Sequence, residues 1–425
     1  MSQKKTNRWV ILAVSIIMNV CIGAAYAWSV FQTPLVELLG ATTSEVSLAF
    51  TLSLALIPIS MIIFGKFQDK KGPQIVTLIG SIVFGIGLIL TGYTNSVLML
   101  YITYGVLGGF GIGAVYGCTI ANTVKWFPDK RGLAGGLVAA GFGSGAVILA
   151  PLGARLVDMY GVLATFKLMG IVFLIVVGLC SFIIKAPAQG WTPEGWTPPA
   201  PSKTSINSGV EMAPGEMMKT GTFYILWVMY TIGMVSGLMI IGHASPIAQG
   251  QIGLAPHVAA ICVSVIALAN TFGRILWGNI SDKIGRYNTI VVMYIVSAVM
   301  LLVLNVSQNI VLFLISASGI ALSFGGFLGI MPSVTAENFG SKSLGINYGI
   351  LFTAYGVAAV VGPQIASAAV EASGGVYSRA YIISSAMNIV GIICAVMMVL
   401  KAKNDAKKSE ASIKEEIIEP LANEA

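Results

Sequence analysis

Gly65-Lys66-Phe67-Gln68-Asp69-Lys70-Lys71-Gly72 and Gly278-Asn279-Ile280-Ser281-Asp282-Lys283-Ile284-Gly285 share one frame, Gly-x-x-x-Asp-Lys-x-Gly, 213 positions apart in a chain of 425 residues. One such octet carries little information. A pair at corresponding places divides the chain into two copies of a single plan. The flanking sequence says what the plan is: apolar runs recur at 9–33, 45–66, 74–93, 97–124, 132–156, 162–185, 222–248, 256–279, 288–307, 310–335, 344–370 and 377–400. Gly, Pro and charged residues break them. About 20 apolar residues cross roughly 30 Å of hydrocarbon as a helix, so each run is a predicted membrane span and the octets follow spans two and eight.

Composition agrees. Only 10% of the residues are charged and 56% are hydrophobic, where a soluble domain carries about 25% charged residues. A β-barrel would read as alternating segments of about 10 residues, not as the solid run from Ile171 to Ile184. The expected fold is therefore all-α integral membrane, twelve transmembrane helices in two six-helix halves, 9–185 and 222–400. Parallel halves of this kind describe a transporter architecture. A cytoplasmic linker over 186–221, with Gly-Trp-Thr-Pro at 190 and 195, joins them. The tails, 1–8 and 401–425, are expected to be cytoplasmic, the second of them mobile and solvated.

The net charge of +7 follows topology rather than a nucleic-acid partner. Twenty of the 24 Lys and Arg residues fall in the N-tail, the even-numbered loops and the C-tail; Arg155, Lys167 and Arg379 lie on the opposite side. The positive-inside bias then puts both termini in the cytoplasm of a multi-pass plasma-membrane protein. Lys4, Lys5 and Arg8 precede a run of full spanning length, so the N-terminus reads as a first span, not a signal peptide. The five cysteines sit in separate helices with no CxxC pair or His neighbour, against a metal site. No Walker motif is present, so no cofactor is expected and energy should come from ion or substrate gradients.

The duplicated octet resembles the major facilitator superfamily over the whole chain. Lys125-Trp-Phe-Pro-Asp-Lys-Arg-Gly132, the Gly-Trp-Thr-Pro linker and Asn347-Tyr-Gly349 are similar to the oxalate/formate antiporter branch and the bacterial homologues of monocarboxylate transporters. The resemblance implies transport of small carboxylates by rocking of the halves about a central site. Oxalate-transporting members carry a second cation eight residues after the Asn of Asn-Tyr-Gly. Here that position is Tyr355, which implies a monocarboxylate such as lactate or pyruvate.

The residues themselves single out Arg274, the one formally charged side chain well inside a predicted helix. Its bland role is snorkelling to the cytoplasmic surface. An even-numbered helix runs inward, however, and side chains lean toward the helix N-terminus, which aims this guanidinium at the midplane. Arg stays charged and its planar fork takes both carboxylate oxygens. No Asp or Glu lies within a predicted core to pair with it. Asn270, one turn earlier, is placed to orient it or to reach substrate, with helix–helix bonding as the alternative.

Tyr116 is expected to offer a hydroxyl to the substrate, and the resemblance also implies a cavity tyrosine there. It further implies aromatic lining at Tyr26, Trp28, Phe142, Phe324 and Phe352, each of which ordinary packing would equally explain. His243, in Gly242-His-Ala-Ser-Pro246, is the proton-coupling candidate, because its unperturbed pKa of about 6.5 suits proton exchange near neutrality. Asp69 and Asp282 are expected to gate by contacts that hold one conformation and break in the other. Gly105, Gly109, Gly113 and Gly117 form a small-residue stripe for helix packing rather than a nucleotide loop. The reading is a secondary transporter of small monocarboxylates, expected to be proton-coupled, working as a monomer in the bilayer with the anion and H⁺ as partners. Its rivals are a dianion exchanger and a carboxylate sensor.

Overall fold

The computed structural model describes residues 7–188, 191–196, 211–373 and 376–422. Among the described residues, twelve helices are long and apolar enough to span a membrane: α1 (Arg8–Ala27), α2 (Ser44–Lys71), α3 (Pro73–Thr91), α4 (Val97–Trp126), α5 (Arg131–Tyr160), α6 (Val162–Ile183), α7 (Gly221–Gly250), α8 (Ile261–Ile284), α9 (Arg286–Asn305), α10 (Ile310–Phe339), α11 (Leu344–Ala372) and α12 (Ser378–Asp405). A helix satisfies its own backbone, which is why apolar segments take this form in lipid. Three spans depart from regular winding. The last five residues of α1, Gly23–Ala27, are 3-10; α4 is π-helical over Tyr101–Gly108; α11 breaks at Phe352 between Leu351 and Thr353.

The octets were read as following their helices. They are instead the last two turns of α2 and α8, and only Gly72 and Gly285 lie outside, with φ of 84° and 89°. Apolar periodicity ends with the hydrocarbon, whereas Lys, Asp and Gln continue a helix into water. A left-handed glycine stops it. The tail expected to be mobile likewise continues the final helix without a break, from Ser378 to Ala422, as its Ala, Lys and Glu content favours.

In the first half α3 packs on α6, α2 on α4 and α1 on α5; in the second, α9 packs on α12, α8 on α10 and α7 on α11. The pairing scheme is thus repeated along with the octet. The glycine stripe of α4 meets α2 turn by turn, Gly105 at Ala49, Gly109 at Ser53, Gly113 at Ile57 and Gly117 at Met61. The halves touch mainly through α2 with α11 and α5 with α8, with α10 also against α5. A Cβ on Gly65 would strike the Gly345 backbone, and one on Gly132 the Gly278 carbonyl.

These inter-half contacts gather at the end of the bundle that carries the octets, here termed the motif end. The linker, read as extended, is docked at both ends. Lys185 O accepts from Trp126 Nε1 (2.6 Å) and Asn122 Nδ2 (3.1 Å), and Trp191 meets Trp126 edge-on. Glu211 accepts from the Ser341 and Lys342 amides at 3.2 and 2.7 Å. Its middle, including the repeated Gly190 and Thr197-Pro198, lies outside the described residues.

Candidate functional site

Arg274 is fully buried in the most tightly approached stretch of α8. Its backbone faces Gly136 of α5 and Gly329 of α10, positions where any side chain would collide with it. The guanidinium reaches one to two turns farther along α5. Nη1 donates to the Ala139 carbonyl at 2.6 Å, and Nε donates to Asn270 Oδ1 at 3.3 Å. Gly143 leaves the room it occupies, since a Cβ there would stand 3.1 Å from Cζ. Nη2 is buried and has no hydrogen-bond partner among the described residues.

A small cavity of about 10 Å³ lies beside it, lined by Tyr26, Ile57, Tyr116, Phe142, Arg274, Leu328, Phe352 and Tyr355. Both halves contribute. The wall is aromatic: Phe142 lies 4.9 Å from the Tyr26 ring and 5.1 Å from that of Tyr116, and Phe352 stacks on Tyr355 at 5.1 Å. Among the described residues no acid lines it, so the guanidinium is the local formal charge in a low-dielectric setting. A charge buried without a partner is strongly disfavoured. The arrangement is chemically suited to accept an anion at Nη2.

Tyr26, Tyr116, Phe142, Arg274 and Tyr355 thus share one wall, with Phe352. Asn270 stands behind the guanidinium rather than on the wall. Phe324, expected to line the cavity, packs instead onto Gly237 of α7, where the missing side chain leaves a slot for its ring. Trp28 turns into the first half against Tyr104 and Phe50. His243 is half-buried away from the cavity; Nδ1 is 3.1 Å from the Met239 carbonyl and the ring meets Tyr377 edge-on. Ile57 and Leu328 complete the wall without any mark in the sequence, being aliphatic residues in apolar helices.

The two octet aspartates lie at the motif end and reach across the seam. Asp69 accepts from the Gly345 and Ile346 amides, opening α11 of the other half, at 3.4 and 3.2 Å. Asp282 accepts from the Gly132 and Leu133 amides, opening α5, at 2.9 and 2.8 Å. Each half therefore caps a helix of the other, charge meeting the positive helix terminus. Lys125 pairs with Asp69 at 3.1 Å and Arg286 with Asp282 at 2.6 Å.

Twelve spans in two like halves, joined about a central cavity with one buried cation, define a polytopic carrier. Comparison with known proteins agrees: the Major Facilitator Superfamily pattern matches residues 9–243 and 226–423. The chain is 31% identical over 405 residues to the oxalate:formate antiporter of Oxalobacter formigenes, covering 95% of this chain and 94% of the relative. It is 33% identical over 364 residues to the uncharacterized MFS-type transporter YhjX of Escherichia coli, covering 84% and 87%. The transporter FucP, solved in an outward conformation, superposes with a TM-score of 0.69 at 12% identity, over 91% of this chain and 98% of that one. The chain belongs to the major facilitator superfamily; it is a multi-pass transporter of the plasma membrane, not an enzyme.

Proposed function

We propose that this transporter carries small monocarboxylates, with the carboxylate seated on Arg274. The observation that carries the reading is the fully buried guanidinium whose Nη2 lacks a partner on a wall without acids. A carboxylate completes the fork, and charge-assisted bonds of this kind contribute about 1.5–3 kcal/mol each. Tyr355 occupies the cavity where a second cation would be needed for a dianion, which favours lactate, pyruvate or a similar acid. The oxalate:formate antiporter among the relatives supports the competing reading, exchange of a dianion.

Coupling to a proton belongs to the same proposal. One cation and one monoanion leave the loaded site neutral, so a co-transported proton rides on the acid or on His243. The latter would act along the outer approach rather than in the wall. Asp69 and Asp282 would act as the gate, their crossed caps holding the motif end shut until the halves rock.

Uptake of labelled L-lactate into proteoliposomes, with and without an inward proton gradient, tests this. Gradient-stimulated uptake is expected. Arg274→Ala should lower it roughly 100-fold, as for lost charge-assisted bonds, and oxalate should compete poorly. Flux that requires a carboxylate on the trans side and is strongly inhibited by oxalate would replace symport by exchange.

A further inference from the structure

Three tyrosine hydroxyls meet just to the motif-end side of the cavity. Tyr116 comes from α4, Tyr230 from α7 and Tyr348 from α11; all are buried, the last two fully. Their hydroxyls are within interaction range of one another. Those of Tyr230 and Tyr348 nevertheless lack any hydrogen bond of acceptable geometry. The Phe352 ring holds the group together, 5.8 Å from Tyr116, 6.0 Å from Tyr230 and 5.5 Å from Tyr348. Tyr116 and Phe352 also line the cavity that Arg274 faces, so the cluster and the cation border the same space.

Packing alone does not account for this group. Burying a phenol body needs no hydroxyl, and phenylalanine would fill the same volume without an unmet polar atom. Each hydroxyl brings one donor and two acceptor lone pairs. No described carboxylate, amide or histidine has a hydrogen bond to Tyr230 or Tyr348 oxygen. Hydroxyls that lie near one another without a well-formed bond are available to an oxygen that arrives with a ligand. Their neutrality says which kind of oxygen: a second carboxylate would call for a cation, whereas an alcohol or oxo oxygen is satisfied by phenol groups.

We propose that Tyr230 and Tyr348, with Tyr116, form an uncharged subsite for an alcohol or oxo oxygen carried close to the carboxylate that Arg274 binds. The proposal rests on the carboxylate reading of Arg274 and narrows it, from short acids in general to 2-hydroxy and 2-oxo acids. It assigns roles to two tyrosines that the cavity wall leaves out. It also explains why the hydroxyls come from both halves: an oxygen bridging them draws α4 against α7 and α11 as the substrate seats.

L-lactate and propionate differ by that one hydroxyl. Dissociation constants for both come from the ligand-induced rise in unfolding temperature of the purified protein, for wild type, Tyr230→Phe, Tyr348→Phe and Arg274→Ala. Wild type should prefer lactate by about tenfold, the scale of one net hydrogen bond. Each Phe variant should lose most of that preference by weakening lactate alone, with propionate unchanged. The ligand-free unfolding temperature should hold or rise, since an unmet buried hydroxyl is removed. A preference that survives both Phe variants, or equal weakening of both acids, overturns the subsite. If Arg274→Ala abolishes binding of both acids while the preference survives the Phe variants, the subsite fails and the carboxylate reading stands. If wild type binds neither acid, both fail.

Discussion

A guanidinium deep in an apolar bundle is costly, and the residues around Arg274 show how the cost is met. Asn270 and the Ala139 carbonyl take two of its donors, and the third nitrogen has no partner among the described residues. The space depends on Gly143, where a Cβ would sit 3.1 Å from Cζ and 2.9 Å from Thr271 Oγ1. Gly143→Ala should therefore push the guanidinium off its seat and raise KM for the transported acid roughly tenfold, as overpacking of about 1–3 kcal/mol implies. Transport assays on folded, reconstituted protein check this; an unaltered KM would mean the guanidinium has slack. Arg274 was legible in the sequence because a charge inside an apolar helix has few structural uses. Tyr230 and Tyr348 were not, because an aromatic in a membrane helix looks like packing until its hydroxyl is seen to lack a partner. Phe324 misled for the complementary reason: nothing along α10 reveals that Gly237 waits across from it.

At the scale of the helices, glycine and aspartate do the joining. The stripe on α4 predicted close packing and meets α2 one turn at a time. The helical course of the octets escaped the sequence, since hydropathy marks where lipid ends and not where a helix ends. So did their reach across the seam, which needs both halves in place. Losing a helix cap costs about 0.5–2 kcal/mol, so Asp69→Ala should loosen the motif end and Asp69→Ala with Asp282→Ala should loosen it further. Spin labels at Lys70→Cys and Lys342→Cys, exposed positions on opposite sides of the seam, would report longer and broader distances. An unchanged distribution in the double variant would remove the aspartates from gating.

For the molecule as a whole, the count of twelve spans and the two-fold plan could be read from hydropathy and one repeated octet. The pairing of helices across the halves could not, because periodicity names a buried face without naming its neighbour. In the structure the halves are held against each other at the motif end, where each octet aspartate reaches across the seam. The bulk of the basic residues lie on the motif side, the side that the positive-inside bias would assign to the cytoplasm.

The unpaired charge on that wall fixes the electrical balance of the cycle. Loaded with a monoanion and its proton, the site crosses with one net positive charge; empty, it returns with the positive charge of Arg274, so the two journeys carry equal charge in opposite directions. A charge that traverses 100 mV experiences about 2.3 kcal/mol, but over a full cycle the two contributions cancel. Clamping proteoliposomes at different potentials with valinomycin and potassium would show it: the lactate gradient reached at a fixed pH difference should not depend on potential. A gradient that shifts with potential would mean that the anion crosses without its proton, with a neutral loaded site and a charged empty one.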